Sequence, residues 1–230
     1  MNQCNSRGII IKRTNYGEAD RIITVLTPEF GKVVLIAKGV RKIKSKLAGG
    51  IELFSVSELT FIKGRGEVMT LISSRLVRHY ENIVSDITRV QAGYEQIRLL
   101  DKVTEDNTEP EYFDLLNTSF ACLDDKKVGI EFIMAWFRAQ LLRLSGHMPN
   151  LRNDAEGSDL IEGRSYGFDF DAMSFSRQLP GEFSSNEIKA LRLLFSSNDP
   201  IVMAKISGMQ DSLPPAMPLI STMSRNYLNA

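Results

Sequence analysis

The side chains best suited to chemistry in this sequence are basic, and they are concentrated in one short run. The run carries five of them, at Lys38, Arg41, Lys42, Lys44 and Lys46. The surrounding stretch, residues 30–51, contains no acidic residue. Ammonium and guanidinium groups bind phosphate oxygens through charge-assisted hydrogen bonds, so this density favours a phosphate-binding loop. The alternative is a solvated loop that only keeps the protein soluble.

Charge is divided unevenly along the chain, although 28 basic and 28 acidic residues sum to zero. Residues 1–80 contain 14 Lys/Arg and 6 Asp/Glu, a net charge of +8, and residues 81–230 contain the remaining 14 and 22, a net charge of −8. A polyanion responds to the local field rather than to the summed charge. The amino-terminal part is therefore predicted to bind nucleic acid.

Phosphate contacts are predicted for the basic run and for Arg21 and Lys32, which precede it in the sequence. The full set is Arg21, Lys32, Lys38, Arg41, Lys42, Lys44 and Lys46, with Lys12, Arg13, Arg65 and Arg75 as secondary contacts. Aromatic residues are few in this part, and we expect most of them to lie in the core. Binding should then depend on the electrostatic field more than on base stacking, with weak sequence preference.

Residue types that catalysis or a zinc site would need are scarce. The two histidines, His79 and His147, have no ligand or nucleophile at motif spacing. The two cysteines, Cys4 and Cys122, form neither a CxxC pair nor a disulfide framework. We therefore expect no catalytic residue, no metal and no cofactor.

Hydropathy indicates a globular protein without membrane segments. The hydrophobic fraction of 43% is enough for a core. The longest apolar stretch, residues 132–137, is far too short to span a bilayer, and residues 1–7 lack the apolar segment of a signal peptide. The sequence predicts a cytosolic protein.

Short β-branched runs separated by turns predict five strands in the first 80 residues, at 8–13, 21–27, 32–38, 51–63 and 67–77. Pro28-Glu-Phe-Gly31 is a tight connection that makes a hairpin of the second and third strands. Five short antiparallel strands suit a small closed barrel of the oligonucleotide/oligosaccharide-binding (OB) type.

From residue 81 onward the apolar residues recur at helical spacing, which predicts an all-helical domain over 81–230 and an α+β fold for the chain. Capping-box patterns predict helix starts at Thr108-x-x-Glu111 and Ser184-x-x-Glu187. Residues 149–180 are predicted to be an irregular excursion. The prolines at 214, 215 and 218 predict a helix break followed by a loose or short helical tail.

Two arginines, Arg138 and Arg143, lie on the otherwise apolar predicted helix over residues 128–145. In one interpretation they pair with acidic residues of their own domain or extend to its surface. In the other they bind an acidic peptide whose apolar side chains enter an adjoining groove.

Several motifs taken together resemble the RecO family of recombination mediators. In the amino-terminal part they are residues 17–27, Gly31-Lys32, residues 37–42 and residues 47–54. Farther on they are Phe132, Arg138, residues 141–144, Gly146, Pro149 and Leu151. The resemblance is dense over residues 8–80, moderate over 128–151 and faint elsewhere.

The resemblance implies an OB barrel at residues 1–80 followed by a helical domain, and a non-enzymatic role in DNA repair in the bacterial cytosol. It implies binding of single- and double-stranded DNA, annealing of complementary strands, and loading of recombinase onto strands coated by single-stranded DNA-binding protein. The implied partners are RecR and the acidic carboxy-terminal tail of that coating protein, which would suit Arg138 and Arg143.

One departure from the family pattern concerns a four-cysteine zinc module that many members carry after the position of Leu151. Residues 151–177 here contain no cysteine, so no metal is expected and the segment must be held by packing. Two alternative functions remain open: an RNA- or ribosome-associated OB module, and a hydrolase with a site assembled across the two predicted domains.

Overall fold

The computed structural model describes residues 2–64, 66–104 and 108–228. The chain divides into two compact units, Met1–Lys126 and Lys127–Ala230. The first unit takes in both the strands and the first helices, so the predicted domain boundary near residue 80 stays a prediction.

Five strands of the first unit form a closed barrel in the order β1-β2-β3-β5-β4. They are β1 Asn2–Tyr16, β2 Asp20–Thr27, β3 Gly31–Ala37, β4 Ser55–Lys63 and β5 Met69–His79. The barrel closes where β3 and β5 run parallel, pairing Leu35 with Met69 and Ile36 with Thr70. The predicted five-stranded barrel and α+β class are confirmed.

Alternating side chains explain why these segments form a barrel. On β3 every second residue is buried, and Ile23, Val25 and Leu35 of the β2–β3 hairpin are fully enclosed. Thr27 Oγ1 donates to the Gly31 carbonyl at 2.9 Å and accepts from the Phe30 amide at 3.1 Å, which fixes the predicted turn. The hairpin therefore holds its register at the turn as well as through the core.

The fourth strand begins four residues later than the sequence predicted. Residues Ala48–Gly50 form a short 3-10 turn, and Phe54 adopts a left-handed backbone conformation with φ of 55°. An extended strand cannot pass through that conformation, so β4 starts at Ser55.

Among the described residues of the first unit, three helices follow the strands: α1 Glu81–Val84, α2 Ile87–Val103 and α3 Pro110–Asp124. The capping box predicted at Thr108 is wrong, because the N-cap is Glu109 without a side-chain cap hydrogen bond. Pro110 occupies the first helical position, where its missing N–H and preset φ favour a helix start.

Within the described part of the second unit there are four helices: α4 Ile130–Leu144, α5 Ser185–Leu194, α6 Pro200–Met203 and α7 Met209–Tyr227. The capping box predicted at Ser184 is confirmed: Ser184 Oγ accepts from the Asn186 amide at 3.3 Å, and the Glu187 carboxylate accepts from the Ser184 amide at 2.8 Å. Gln140 of α4 donates to the carbonyls of Leu194 and Ser196 at 2.6 and 2.7 Å, and so ties α4 to the end of α5.

The carboxy-terminal prediction is wrong, because α7 is a continuous 19-residue helix that contains all three prolines. Each proline removes one backbone hydrogen bond, which ordinarily interrupts a helix. Here Leu213, Ala216, Ile220 and Met223 recur on one face and are fully or almost fully buried, and α7 packs against α4 and α5. Burial of that face offsets the missing bonds.

The segment predicted to be irregular contains a small sheet of order β6-β8-β7, with strands Asn150–Asp154, Gly167–Asp169 and Ser174–Ser176. Its strands are too short to give a clear periodic signal. The sheet is held by buried rings, in which Phe175 makes edge contacts with Tyr166, Phe168 and Phe183. The expectation that packing holds this segment is confirmed.

Candidate nucleic-acid interface

The basic run forms a loop that leaves the end of β3 and is anchored at its start. The Gly39 amide donates to Asp20 Oδ1 at 2.7 Å, with Gly39 in the left-handed region at φ of 64°. The Arg41 amide donates to the Ala19 carbonyl at 2.9 Å, and the Val40 side chain is buried among the barrel core residues. These contacts join the loop to the β1–β2 turn.

A second set of contacts anchors the far side of the loop. The Ser45 amide donates to the Lys42 carbonyl at 2.9 Å, closing a turn, and the Leu47 amide donates to Ser45 Oγ at 3.3 Å. The Leu47 carbonyl accepts from Ser74 Oγ of β5 at 2.9 Å. Gly50 lies so close to Ser74 that a Cβ on Gly50 would sit 2.6 Å from it. These contacts fix the conformation of the loop on both sides.

All five basic side chains of the run are exposed, namely Lys38, Arg41, Lys42, Lys44 and Lys46. Arg41 Nη1 makes one surface hydrogen bond, to the Gly17 carbonyl at 3.3 Å. Within the part of the chain that the structure describes, no ion pair involves any of the five. The loop thus presents concentrated positive charge without internal neutralisation.

Arg21 lies beside this loop, because Arg21 pairs in register with Ala37, the residue before Lys38. Its Nε donates to Asn15 Oδ1 at 3.1 Å, and the side chain is partly exposed. The structure thus brings Arg21 together with the five loop residues, as the predicted contact set requires.

Lys32 is the exception among the predicted phosphate contacts. Its Nζ donates to Asp101 Oδ1 at 2.9 Å and to the carbonyls of Asp101 and Thr104 at 3.3 and 2.9 Å. Only 16% of the side chain is exposed. The three donors of the ammonium group are used at the carboxy-terminal end of α2, where a positive charge also complements the helix dipole. We therefore exclude Lys32 from the interface.

The residues predicted as secondary phosphate contacts differ in whether their side chains are exposed or ion-paired. Lys12 is exposed, whereas Arg13 pairs with Glu52 at 2.6 Å and Arg75 pairs with Glu58 at 2.5 Å. Arg65 lies outside the described residues. The pairs occupy two of the guanidinium groups, so the loop itself remains the main positive feature.

The expectation that most amino-terminal aromatic residues belong to the core is confirmed. Phe54, Phe61 and Tyr80 are buried, whereas Tyr16 and Phe30 are exposed. Tyr16 pairs with Asp20 across the turn that the basic loop contacts. Tyr16 is therefore an exposed ring opposite the residue that anchors the loop, and the sequence alone did not distinguish it from the buried rings.

The two arginines predicted to bind an acidic peptide face different neighbours in the second unit. Arg138 Nη1 donates to Ser221 Oγ of α7 at 3.3 Å. Arg143 Nε donates to Gln140 Oε1 at 2.9 Å. Residues five apart on a helix are separated by about 140° around its axis, so α4 does not present both on one face. Each is partly buried.

Sequence reasoning missed a cleft of about 790 Å³ in the second unit. Its lining combines apolar side chains with the exposed Arg152 and Arg192 and with one carboxylate, Asp159; the apolar residues include Met148, Leu151, Leu160 and Phe195. Arg192 Nε donates to the Leu151 carbonyl at 2.7 Å, which joins α5 to β6 at the cleft. Because the lining comes from β6 and α5, no local pattern could have revealed the cleft.

Comparison with known proteins gives a family for both parts of the chain. The family model described as "Recombination protein O N terminal" matches residues 1–80, and the one described as "Recombination protein O C terminal" matches residues 84–229. The chain belongs to the RecO family. The resemblance inferred from the sequence motifs is confirmed.

Curated relatives of this RecO-family chain carry the name "DNA repair protein RecO". One from Dehalococcoides mccartyi is 35% identical over 151 residues, covering 65% of this chain and 59% of the relative. One from Rhodopirellula baltica is 32% identical over 145 residues, covering 61% and 53%. One from Listeria innocua is 30% identical over 206 residues, covering 85% and 77%. The chain thus spans little more than half the length of the first two.

Two further features of this RecO-family chain concern metals and membranes. Within residues 2–64, 66–104 and 108–228, no group of three or more His, Cys, Asp or Glu side chains is arranged to hold a metal ion. Across the same ranges no helix is both long and apolar enough to cross a membrane. The two cysteines, Cys4 and Cys122, are not joined in a disulfide.

Proposed function

We propose that this chain is a DNA repair mediator that binds single- and double-stranded DNA through the basic loop. In this proposal it anneals complementary strands and helps load recombinase onto strands coated by single-stranded DNA-binding protein, in the bacterial cytosol. The observation that carries the proposal is the anchored loop with five exposed and un-neutralised basic side chains, in a chain of the RecO family.

Annealing requires no catalytic residue in this scheme. A positive surface screens the repulsion between two polyanionic strands and raises their local concentration, and base pairing then decides the outcome. Because phosphate contacts carry most of the affinity, binding should be salt-sensitive and only weakly dependent on sequence.

The test is annealing of two complementary oligonucleotides, each coated with the cognate single-stranded DNA-binding protein, at two salt concentrations. Acceleration that weakens at the higher salt, with labelled strands left intact with and without magnesium, supports a mediator. Strand cleavage would instead indicate a hydrolase. Absence of acceleration together with a preference for structured RNA would favour an RNA-associated module.

The proposed protein partners are RecR and the acidic carboxy-terminal tail of single-stranded DNA-binding protein. We propose that the tail binds the second unit through Arg138 and Arg143, the two residues that the sequence assigned to this role. The cleft bearing Arg152 and Arg192 combines basic and apolar side chains, with Asp159 as an acidic residue of its lining, and is the competing location.

A labelled tail peptide distinguishes these locations. The pair Arg138→Glu and Arg143→Glu should abolish peptide binding if the sequence assignment is correct, and the pair Arg152→Glu and Arg192→Glu should do so if the cleft is the site. Both pairs should leave DNA affinity largely unchanged. Unchanged peptide affinity in both double variants would refute tail binding at either place.

A further inference from the structure

Ile43 lies at the tip of the basic loop. Phosphate binding does not account for an apolar side chain at that position. Its relative exposure is 104%, whereas Val40 in the same loop is 3% exposed and Leu47 packs against the barrel core. The loop thus buries its other apolar side chains and leaves this one entirely in solvent. A single exposed apolar residue is ordinary on a protein surface, so its setting must carry the argument.

The setting is a defined turn. The hydrogen bond from the Ser45 amide to the Lys42 carbonyl places Ile43 and Lys44 at the two central positions. The anchors at Gly39, Arg41 and Leu47 hold both sides of this turn to the barrel. A side chain presented by a preformed turn loses little conformational freedom on binding.

The immediate neighbours in the chain are cationic. Lys42 and Lys44 are exposed on either side of Ile43 and carry no ion pair among the described residues. When their ammonium groups contact phosphates, Ile43 between them is held next to the DNA. Isoleucine has no aromatic face for stacking on a splayed single-stranded base, but it belongs to the apolar residues that wedge between base pairs.

We propose that Ile43 inserts between adjacent base pairs of duplex DNA held by the loop and locally unstacks them. This inference rests on the proposed DNA binding by the same loop and adds a structural effect on the duplex. Insertion exchanges exposed apolar surface for contact with bases, at the cost of stacking. Binding should therefore favour pyrimidine–purine steps such as TA, which unstack most easily.

The test uses the full chain and a duplex carrying 2-aminopurine at a TA step, because the fluorescence of this base rises when it is unstacked. We expect saturating protein to raise the fluorescence and Ile43→Ser to lose the rise. The salt slope of binding should be the same for both, since no charge is removed. Ile43→Leu, which keeps an apolar side chain of similar size, should retain the rise.

The matched control is Ile72→Ser, which removes an exposed isoleucine from β5, outside the loop. It should behave like the parent. Binding by the parent without a fluorescence rise would overturn the wedge and leave DNA binding intact, and a rise retained in Ile43→Ser or lost equally in Ile72→Ser would also overturn it. No DNA binding by the parent would overturn the proposed function and the wedge together.

Discussion

Reversing three charges at the tip of the basic loop is the most direct perturbation of the proposed interface. The variant combines Arg41→Glu, Lys42→Glu and Lys44→Glu. All three side chains are exposed, and the loop anchor at Arg41 is made by its backbone amide, which the substitution keeps. Exposed substitutions of this kind change stability by about 0.5 kcal/mol or less per site. The fold should therefore survive.

The loss of affinity can be worked from the contact set. With Lys32 excluded, six basic side chains remain: Arg21, Lys38, Arg41, Lys42, Lys44 and Lys46. Six contacts on single strands give a slope of log affinity against log salt of about −4, and removing three gives about −2. If the electrostatic contribution vanishes near ~1 M salt, the difference at ~0.1 M is about 100-fold, or roughly 2.7 kcal/mol. Repulsion from three new carboxylates adds to this loss.

The assay is fluorescence anisotropy of a labelled oligonucleotide titrated over a range of salt concentrations. The control variant carries Arg164→Glu, Lys205→Glu and Arg225→Glu, three exposed basic residues of the second unit, with the same change in net charge. It should bind nearly as the parent does. Parental affinity and slope in the loop variant, or an equal loss in the control, would refute the loop as the interface.

Three further outcomes test the structural reasoning. Lys32→Ala should lower the free energy of unfolding by about 1–2 kcal/mol, because it leaves Asp101 and two helix-end carbonyls without their donor, and it should change DNA affinity little. Denaturant melts measure the first quantity and fluorescence anisotropy the second. A large loss of DNA affinity without destabilisation would return Lys32 to the interface. Gly93→Ala should destabilise the protein by about 1–2 kcal/mol in the same melts, because the new Cβ would lie 2.6 Å from the ring of buried Phe54 and that clash exceeds the gain in helix propensity. Gly64→Ala, which has open space around it, is the control. A Gly93→Ala variant more stable than the parent would contradict this packing. Ser184→Ala should cost about 1 kcal/mol of helix capping at neutral pH. The hydrogen bond from Ser184 lowers the pKa of Glu187, so the part of the cost that comes from this bond is present above the ordinary glutamate pKa and is lost as pH falls through the lower folded value. The bond from the Asn186 amide to Ser184 Oγ does not depend on that charge, so the difference between parent and variant should shrink at low pH without vanishing, and a difference of the same size on both sides of that pH would contradict the assignment.

Most strands and helices could be predicted because their signals are local. The alternation on β3 and the turn between Pro28 and Gly31 come from neighbouring residues, and the Ser184–Glu187 capping box spans one helical turn. Predictions failed where distant contacts override local preference. The helix α7 passes through three prolines because its buried face packs against α4 and α5. The strand β6 pairs with β8 across the intervening segment, with Asn150 opposite Ser174, and neither short strand gives a local signal for that pairing.

For the candidate interface, too, local features could be predicted from the sequence and distant contacts could not. The basic run was evident because charge density and the absence of acidic residues are properties of one segment. Lys32 was grouped with the exposed cations because the sequence does not show its partner Asp101, 69 residues away, and Arg138 and Arg143 were grouped although α4 directs them to different neighbours. A spacing along the chain does not specify which groups a side chain will meet.

The sequence by itself determined the family, the five-stranded barrel and the position of the positive charge, because residue type, order and short-range periodicity carry that information. Only the tertiary structure decided which cations remain exposed, that Ile43 is left in solvent at an anchored turn, and that a basic and apolar cleft forms beside α5. Those properties depend on burial and on pairings between residues far apart in the chain, and both arise only when the chain has folded.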